Sequence, residues 1–109
     1  MKPSQNDYIV VYITAGNSEE AGRIARRLLE ERLAACVNTI SGVDSKFWWK
    51  DRLEEARETA LIVKTKAVLL PDIIEAVKKL HSYELPEIIA LPIIGGSREY
   101  LEWIDSVVR

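Results

Sequence analysis

The residues able to do chemistry are few and scattered. His81 is the single histidine and Cys36 the single cysteine in a chain of 109 residues. Imidazole and thiolate both suit copper, and Tyr83 with Glu84 adds oxygen atoms beside the histidine. One imidazole with one carboxylate is nonetheless a weak site. His81 also falls at the end of a predicted helix, where a cation suits the helix dipole and the ring can pack on an apolar stripe. Packing or capping is therefore the favoured role for His81, unless carboxylates from a neighbouring chain complete a metal shell. Cys36 sits in an apolar stretch, where a free thiol is usually a small buried hydrophobe of low reactivity. One Cys and one His cannot form an internal disulfide or a closed structural zinc site within one chain.

Phe47, Trp48 and Trp49 concentrate aromatic area in three consecutive positions. Adjacent strand residues point to opposite faces, so the two tryptophans cannot both serve one pocket. The expectation is that one fills the subunit core and the other a contact between chains, where aromatics are typical anchors. Alternatively, together with Tyr83 and Trp103 they wall a small-molecule cleft at a chain boundary. Lys50, Asp51, Arg52, Glu54 and Glu55 read as a solvated hairpin tip, although carboxylates clustered in an oligomer would attract divalent cations. Gly95-Gly96-Ser97 precedes a helix and reads as a cap, because no phosphate-binding glycine motif is present. No nucleophile or acid/base set at motif spacing announces catalysis. The expectation is a non-enzyme that requires no cofactor.

These residues are placed by a regular succession of elements. Tyr8 to Thr14 is a solid apolar, β-branched run and predicts a first strand. Asn17 with Glu20 three positions on resembles a capping box, and Ala21, Ile24, Ala25 and Leu28 recur at helical spacing, predicting a helix from Ser18 to Arg32. Leu33 to Ile40 turns extended, Ser41-Gly42 marks a bend or bulge, and Ser45 to Trp49 carries on to a turn at Lys50-Asp51-Arg52. Glu54 to Thr65 returns as the partner strand of a hairpin. Pro71 suits the first turn of a second helix, with Ile73, Ile74 and Val77 on its apolar stripe and its end near Tyr83. Glu87 to Ile94 is a further strand, with Pro92 at an edge or bulge. Ser97 caps a last helix carrying Tyr100, Leu101, Ile104, Val107 and Val108 inward.

Strand, helix, strand, strand, helix, strand and a C-terminal helix is the order of an α+β, ferredoxin-like split βαβ sandwich, expected to form a single domain over residues 1–109. Both crossovers should place their helices on one sheet face. The other face is left bare, yet Tyr8 to Ile13 and Ile88 to Ile94 are apolar at both parities. With only the last helix uncommitted, another copy of the chain is the expected cover.

Composition narrows the partners. Fifteen Lys plus Arg against seventeen Asp plus Glu give a net charge of -2, which argues against nucleic-acid binding. The opening MKPSQNDY has no apolar core and no run of eighteen apolar residues occurs, so neither a signal peptide nor a membrane partner is expected and the expected address is cytoplasmic.

Five strings, in order and at matching separations, resemble the CutA divalent-cation tolerance family. They are Leu33 to Asn38 (LAACVN), Ser45 to Trp49 followed by Glu54-Glu55, Leu61 to Thr65 (LIVKT), His81 to Ile88 (HSYELPEI), and Tyr100 to Trp103 (YLEW). The resemblance spans about Tyr8 to Val107. It implies a ferredoxin-like subunit in a compact homotrimer around inward-facing sheets, tolerance and binding of copper or another divalent cation, and no established reaction. The ligands it implies are a thiol late in the first strand and two adjacent histidines. Those positions hold Ile13, Leu80 and His81, so only His81 bears a ligand. Ser82 stands where the family usually has proline, and Ala56 and Arg57 replace acidic residues. The rival expectation is a trimeric signalling protein with a small-ligand cleft between subunits, and a third is a docking scaffold.

Overall fold

The computed structural model describes residues 7–109. The start of the polar opening that was read for a signal peptide, up to residue 6, lies outside those residues. β1 spans Tyr8–Ala15, α1 Ser18–Glu30, β2 Cys36–Trp49, β3 Arg52–Lys66, α2 Leu70–Leu80, β4 Ile88–Pro92 and α3 Arg98–Val107, with a short 3-10 turn at Ala67–Leu69 ahead of α2. The four strands are antiparallel in the order β2-β3-β1-β4, the ferredoxin-like arrangement expected.

Alternation along β1 sorts the two faces. Ile9, Val11 and Ile13 are buried with Leu61 and Val63 of β3 under Ile24 and Leu28 of α1 and Ile73 and Val77 of α2. The intervening Val10, Tyr12 and Thr14 point to the far face, level with Lys64, Ile62 and Ala60 of β3 and, for Val10 and Tyr12, with Leu91 and Ile89 of β4. α3 roofs one end of that far face: Asp105 Oδ1 lies 2.7 Å from Lys66 Nζ, and Ile104 is fully buried. Beyond α3 the face is open, with Ile40, Ile89 and Leu91 about half exposed at 50%, 50% and 51%.

Local signals explain most boundaries. Asn17 Oδ1 accepts the Glu20 N–H at 2.8 Å, the first half of the expected capping box. α1 stops two residues earlier than predicted. Leu33 N–H returns to Leu28 O and Arg32 N–H to Leu29 O, a Schellman closure that puts Arg32 at φ 59, a position usually held by glycine. α2 also ends early, at Leu80 rather than near Tyr83, because His81 leaves helical geometry at ψ 139 to make the long-range bonds described below.

The bend foreseen at Ser41-Gly42 is a β-bulge. Ile40 pairs with Ala60 and Val43 with Glu58, so β2 spends one residue more than β3 across the break. The extra residue inverts the alternation: Cys36, Asn38 and Ile40 face the open side before it, and Val43, Ser45, Phe47 and Trp49 after it. Gly42 makes this turn at φ 75. Gly42→Ala is expected to cost about 1 kcal/mol, since a Cβ in left-handed backbone is penalised by roughly that much, and urea unfolding would read the loss.

Candidate functional site

β1 ends at Ala15, opposite Thr59, while β2 and β3 run on as a two-stranded ribbon to a turn in which Lys50 and Asp51 both have positive φ, 51 and 64. The inverted alternation after Gly42 turns Phe47 and Trp49 towards the same side as Glu54, Ala56 and Glu58. The segment after α2 comes up to meet them. Between the ribbon, the exposed end of β1 and residues 83–87 lies a cleft of about 890 Å³, with Tyr12, Phe47, Trp49 and Tyr83 among its walls and Glu54, Glu58, Glu84 and Glu87 around them.

The post-helix segment is held by buried polar bonds. Glu20, only 3% exposed, accepts from the Ser82 N–H at 2.5 Å and the Ser82 hydroxyl at 3.0 Å, and from the Gly16 N–H at 3.2 Å. Burial pushes its carboxyl up, but the Ser82 and Gly16 hydrogen bonds, with His81 nearby, outweigh that and hold it below its ordinary 4.5. The glutamate half of the capping box thus reaches beyond its own helix to fasten a distant segment.

His81 is fully enclosed. One ring nitrogen, Nε2, lies 2.7 Å from the Thr14 carbonyl oxygen, and the other, Nδ1, accepts the Tyr83 N–H at 3.1 Å and stands 3.6 Å from Glu20 Oε2. This fits the tautomer protonated at Nε2, with no ring lone pair left over. The Tyr83 hydroxyl donates to Glu58 Oε2 at 2.8 Å. Burial first, then the bond to Glu58 and the charges of Glu58 and Glu20, push that hydroxyl up to about 12, so it stays a neutral donor.

The residues singled out for metal do not converge. Cys36 is level with Lys64 and Val10, and its sulfur lies 3.9 Å from Lys64 Nζ. Burial, then the neighbouring Cys36 sulfur, push the hydroxyl of Tyr100 on α3 up. His81 sits at Thr14, four residues further along β1 than Val10, or roughly 13 Å away at ~3.3 Å per strand residue. Cys36 is half-buried rather than enclosed. Glu84 is at the cleft rim, exposed. Among the described residues no three His, Cys, Asp or Glu side chains are close enough together to hold a metal ion.

The aromatic expectations need a correction. Neither tryptophan of the ribbon enters the subunit core: Trp48 is 70% exposed beside Leu53 and Trp49 is partly covered, with Lys50 Nζ 5.6 Å from its ring centre, yet both line the cleft, against the expectation that they could not share one pocket. The core ends where β1 ends, and these residues lie beyond it. Trp103 is not with them. It packs at 5.4 Å against Tyr100 on α3. Glu20, Glu58 and Thr14 were missed as site residues, because a helix cap and two positions in apolar strand runs give no sign of what they will meet across the fold.

The architecture defines a small ferredoxin-like α+β protein with an acidic, aromatic cleft on a half-covered sheet. Residues 9–107 match the family described as CutA1 divalent ion tolerance protein. The chain belongs to that family. It is 51% identical over 99 residues to the divalent-cation tolerance protein CutA of Archaeoglobus fulgidus, covering 91% of this chain and 96% of that one. The chloroplastic protein CutA 1 of Oryza sativa is 46% identical over 101 residues, 93% of this chain but only 57% of the rice protein. The rice CutA1 crystal structure superposes with a TM-score of 0.91 at 45% identity, covering 94% of both chains. The structure of the A. fulgidus protein, described as periplasmic, gives 0.91 at 48%, covering 94% of this chain and 99% of that one. Relatives are thus named for different compartments. No helix among the described residues is long and apolar enough to cross a membrane.

Proposed function

We propose that the chain acts as a homotrimer in cellular tolerance of divalent cations, copper foremost, without catalysing a reaction. The observation that supports this most directly is the sheet face left open beyond α3. Ile40, Ile89 and Leu91 stand half exposed there, and a two-stranded ribbon carrying exposed Trp48 and Leu53 projects from it. An isolated ribbon is marginal in water and needs a neighbour to pack on. Family membership supplies the link to divalent ions.

Of the candidate donors, Glu84 is the one a metal can reach without breaking a bond. His81 would have to surrender the Tyr83 N–H, and Cys36 is half-buried with the Lys64 ammonium 3.9 Å from its sulfur. Ion binding in this reading is therefore weak, made by Glu84 and carboxylates that a neighbouring copy brings to it. Isothermal titration of the purified oligomer with copper is expected to give an affinity that changes by less than about threefold, under 1 kcal/mol, in His81→Ala and in Cys36→Ser. Loss of copper binding in either variant would return the site to those residues. A cytoplasmic address belongs to this proposal, and the unpaired Cys36 suits a reducing compartment. Cell fractionation checks it.

A second reading, a trimer that binds a small ligand in a cleft at the subunit boundary, is favoured by the cleft itself. Its aromatic walls are more than a bare ion needs.

A further inference from the structure

Glu58 is a buried carboxylate that pairs with no cation among the described residues. It is 6% exposed, and its hydrogen bond comes from the neutral Tyr83 hydroxyl. Buried charges are normally paired, because desolvation of an isolated carboxylate is costly. The other cleft carboxylates repeat the pattern. Glu87 accepts from the Thr14 hydroxyl at 3.4 Å, and neither it nor Glu54, Glu58 or Glu84 forms an ion pair among the described residues. Of the ribbon cations, Lys46, which also lines the cleft, pairs with Glu55, Arg57 pairs with Asp44, and Lys50 stands over the Trp49 ring at 5.6 Å, so none of these contacts reaches the four glutamates. A chain of net charge -2 thus gathers four uncompensated carboxylates in one concavity.

The same concavity is walled by Tyr12, Phe47, Trp49 and Tyr83. Aromatic faces attract cations through their quadrupole and at the same time prefer apolar matter. A bare metal ion uses neither property fully, and the acidic groups stand too far apart for three of them to close on one ion. An anion is repelled. The chemistry left is a positive charge attached to an apolar body larger than a metal ion.

We propose that the cleft binds a protonated organic amine with a flat apolar body. Its ammonium group donates to Glu58 and the rim carboxylates, and its body lies among Phe47, Trp49 and Tyr83. This rests on the small-ligand reading of the cleft and shares Glu84 with the proposed copper site, while Glu58 belongs to the amine alone. The competing occupant is a basic side chain of a second copy, for which exposed Lys50 or Arg52 at the ribbon tip is suited.

The test uses the full chain in its native oligomeric state, in a Trp103→Phe background so that emission reports Trp48 and Trp49. Titration with 2-phenylethylammonium is expected to give a saturable fluorescence change, at least about tenfold tighter than with neutral 2-phenylethanol, since pairing with a buried carboxylate exceeds the ~1.4 kcal/mol that tenfold requires. Glu58→Gln, of equal size, should weaken the ammonium compound by roughly tenfold and leave the alcohol unchanged. Glu84→Gln, at an exposed position, should weaken it by about threefold and decides the matter if Glu58→Gln fails to fold. Equal binding of amine and alcohol, no saturable change with the amine, or indifference to both substitutions would each overturn the proposal, the second assigning Glu58 to a basic residue of a second copy. Copper titration of Glu58→Gln, which leaves Glu84 in place, reads the ion proposal separately.

Discussion

Ile89→Glu is expected to leave a folded chain that no longer assembles, with light scattering giving 12.4 kDa in place of three times that mass at micromolar concentration. Ile89 lies level with Tyr12 and, one strand further, Ile62, in the middle of the sheet face that α3 does not reach. In the single chain it is half exposed, so a glutamate there can stay hydrated and the subunit core beneath the helices is untouched. In a trimer built on that face, the carboxylate would be buried once in every subunit, at a cost of several kcal/mol per copy, on the order of the whole stability of a small interface. Leu29→Glu is the control. Leu29 is also exposed, at 40%, but sits on the outer side of α1, away from the sheet. It should assemble like the parent. A trimer that survives Ile89→Glu, or one that fails equally with Leu29→Glu, would remove the open sheet face as the reason for assembly.

The same face shows how far the sequence could be read. That both parities of β1 and β4 are apolar is visible from Tyr8 to Ile13 and Ile88 to Ile94, and the half-exposed Ile89 and Leu91 are where that argument puts them. Asn17, Gly42 and Ser97 announce their caps and bulge because each acts on backbone within a few residues of itself. What was illegible depends on partners distant along the chain. The Schellman closure after α1 carries arginine rather than glycine, so nothing at Arg32 signals a stop. α2 was read three residues too far because His81 is drawn out of the helix by Thr14, 67 positions earlier. The register puts the tryptophans on opposite faces of the ribbon, as alternation predicts, yet both line the cleft, and how far β2 and β3 outrun β1 sets whether those faces belong to the core. That length is a property of the sheet and not of the string FWW.

Glu20 is the residue whose loss should be felt most within the subunit. Glu20→Ala removes the acceptor of the Ser82 N–H, the Ser82 hydroxyl and the Gly16 N–H together, at a position 3% exposed. Leaving such donors unpaired costs about 1 to 3 kcal/mol each when they are fully buried. Ser82 is exposed enough for water to replace part of this, so about 3 kcal/mol in total is the expected loss, read by urea unfolding at pH 7. Hydrogen exchange should quicken first at Ser82 and Tyr83, which Glu20 and His81 fasten to β1 and α1. The effect has a sign in pH. The folded carboxyl is held below its ordinary 4.5. Its charged form therefore contributes stability that is fully present above about pH 4.5 and is lost as the pH falls through the folded value. Glu20→Gln keeps the size and discards the charge. Its deficit relative to the parent should be largest near pH 6 and shrink steadily below pH 4.5. A deficit that stays constant from pH 6 to pH 3 would mean that shape alone, and not an ionised carboxylate, fastens the segment that walls the cleft.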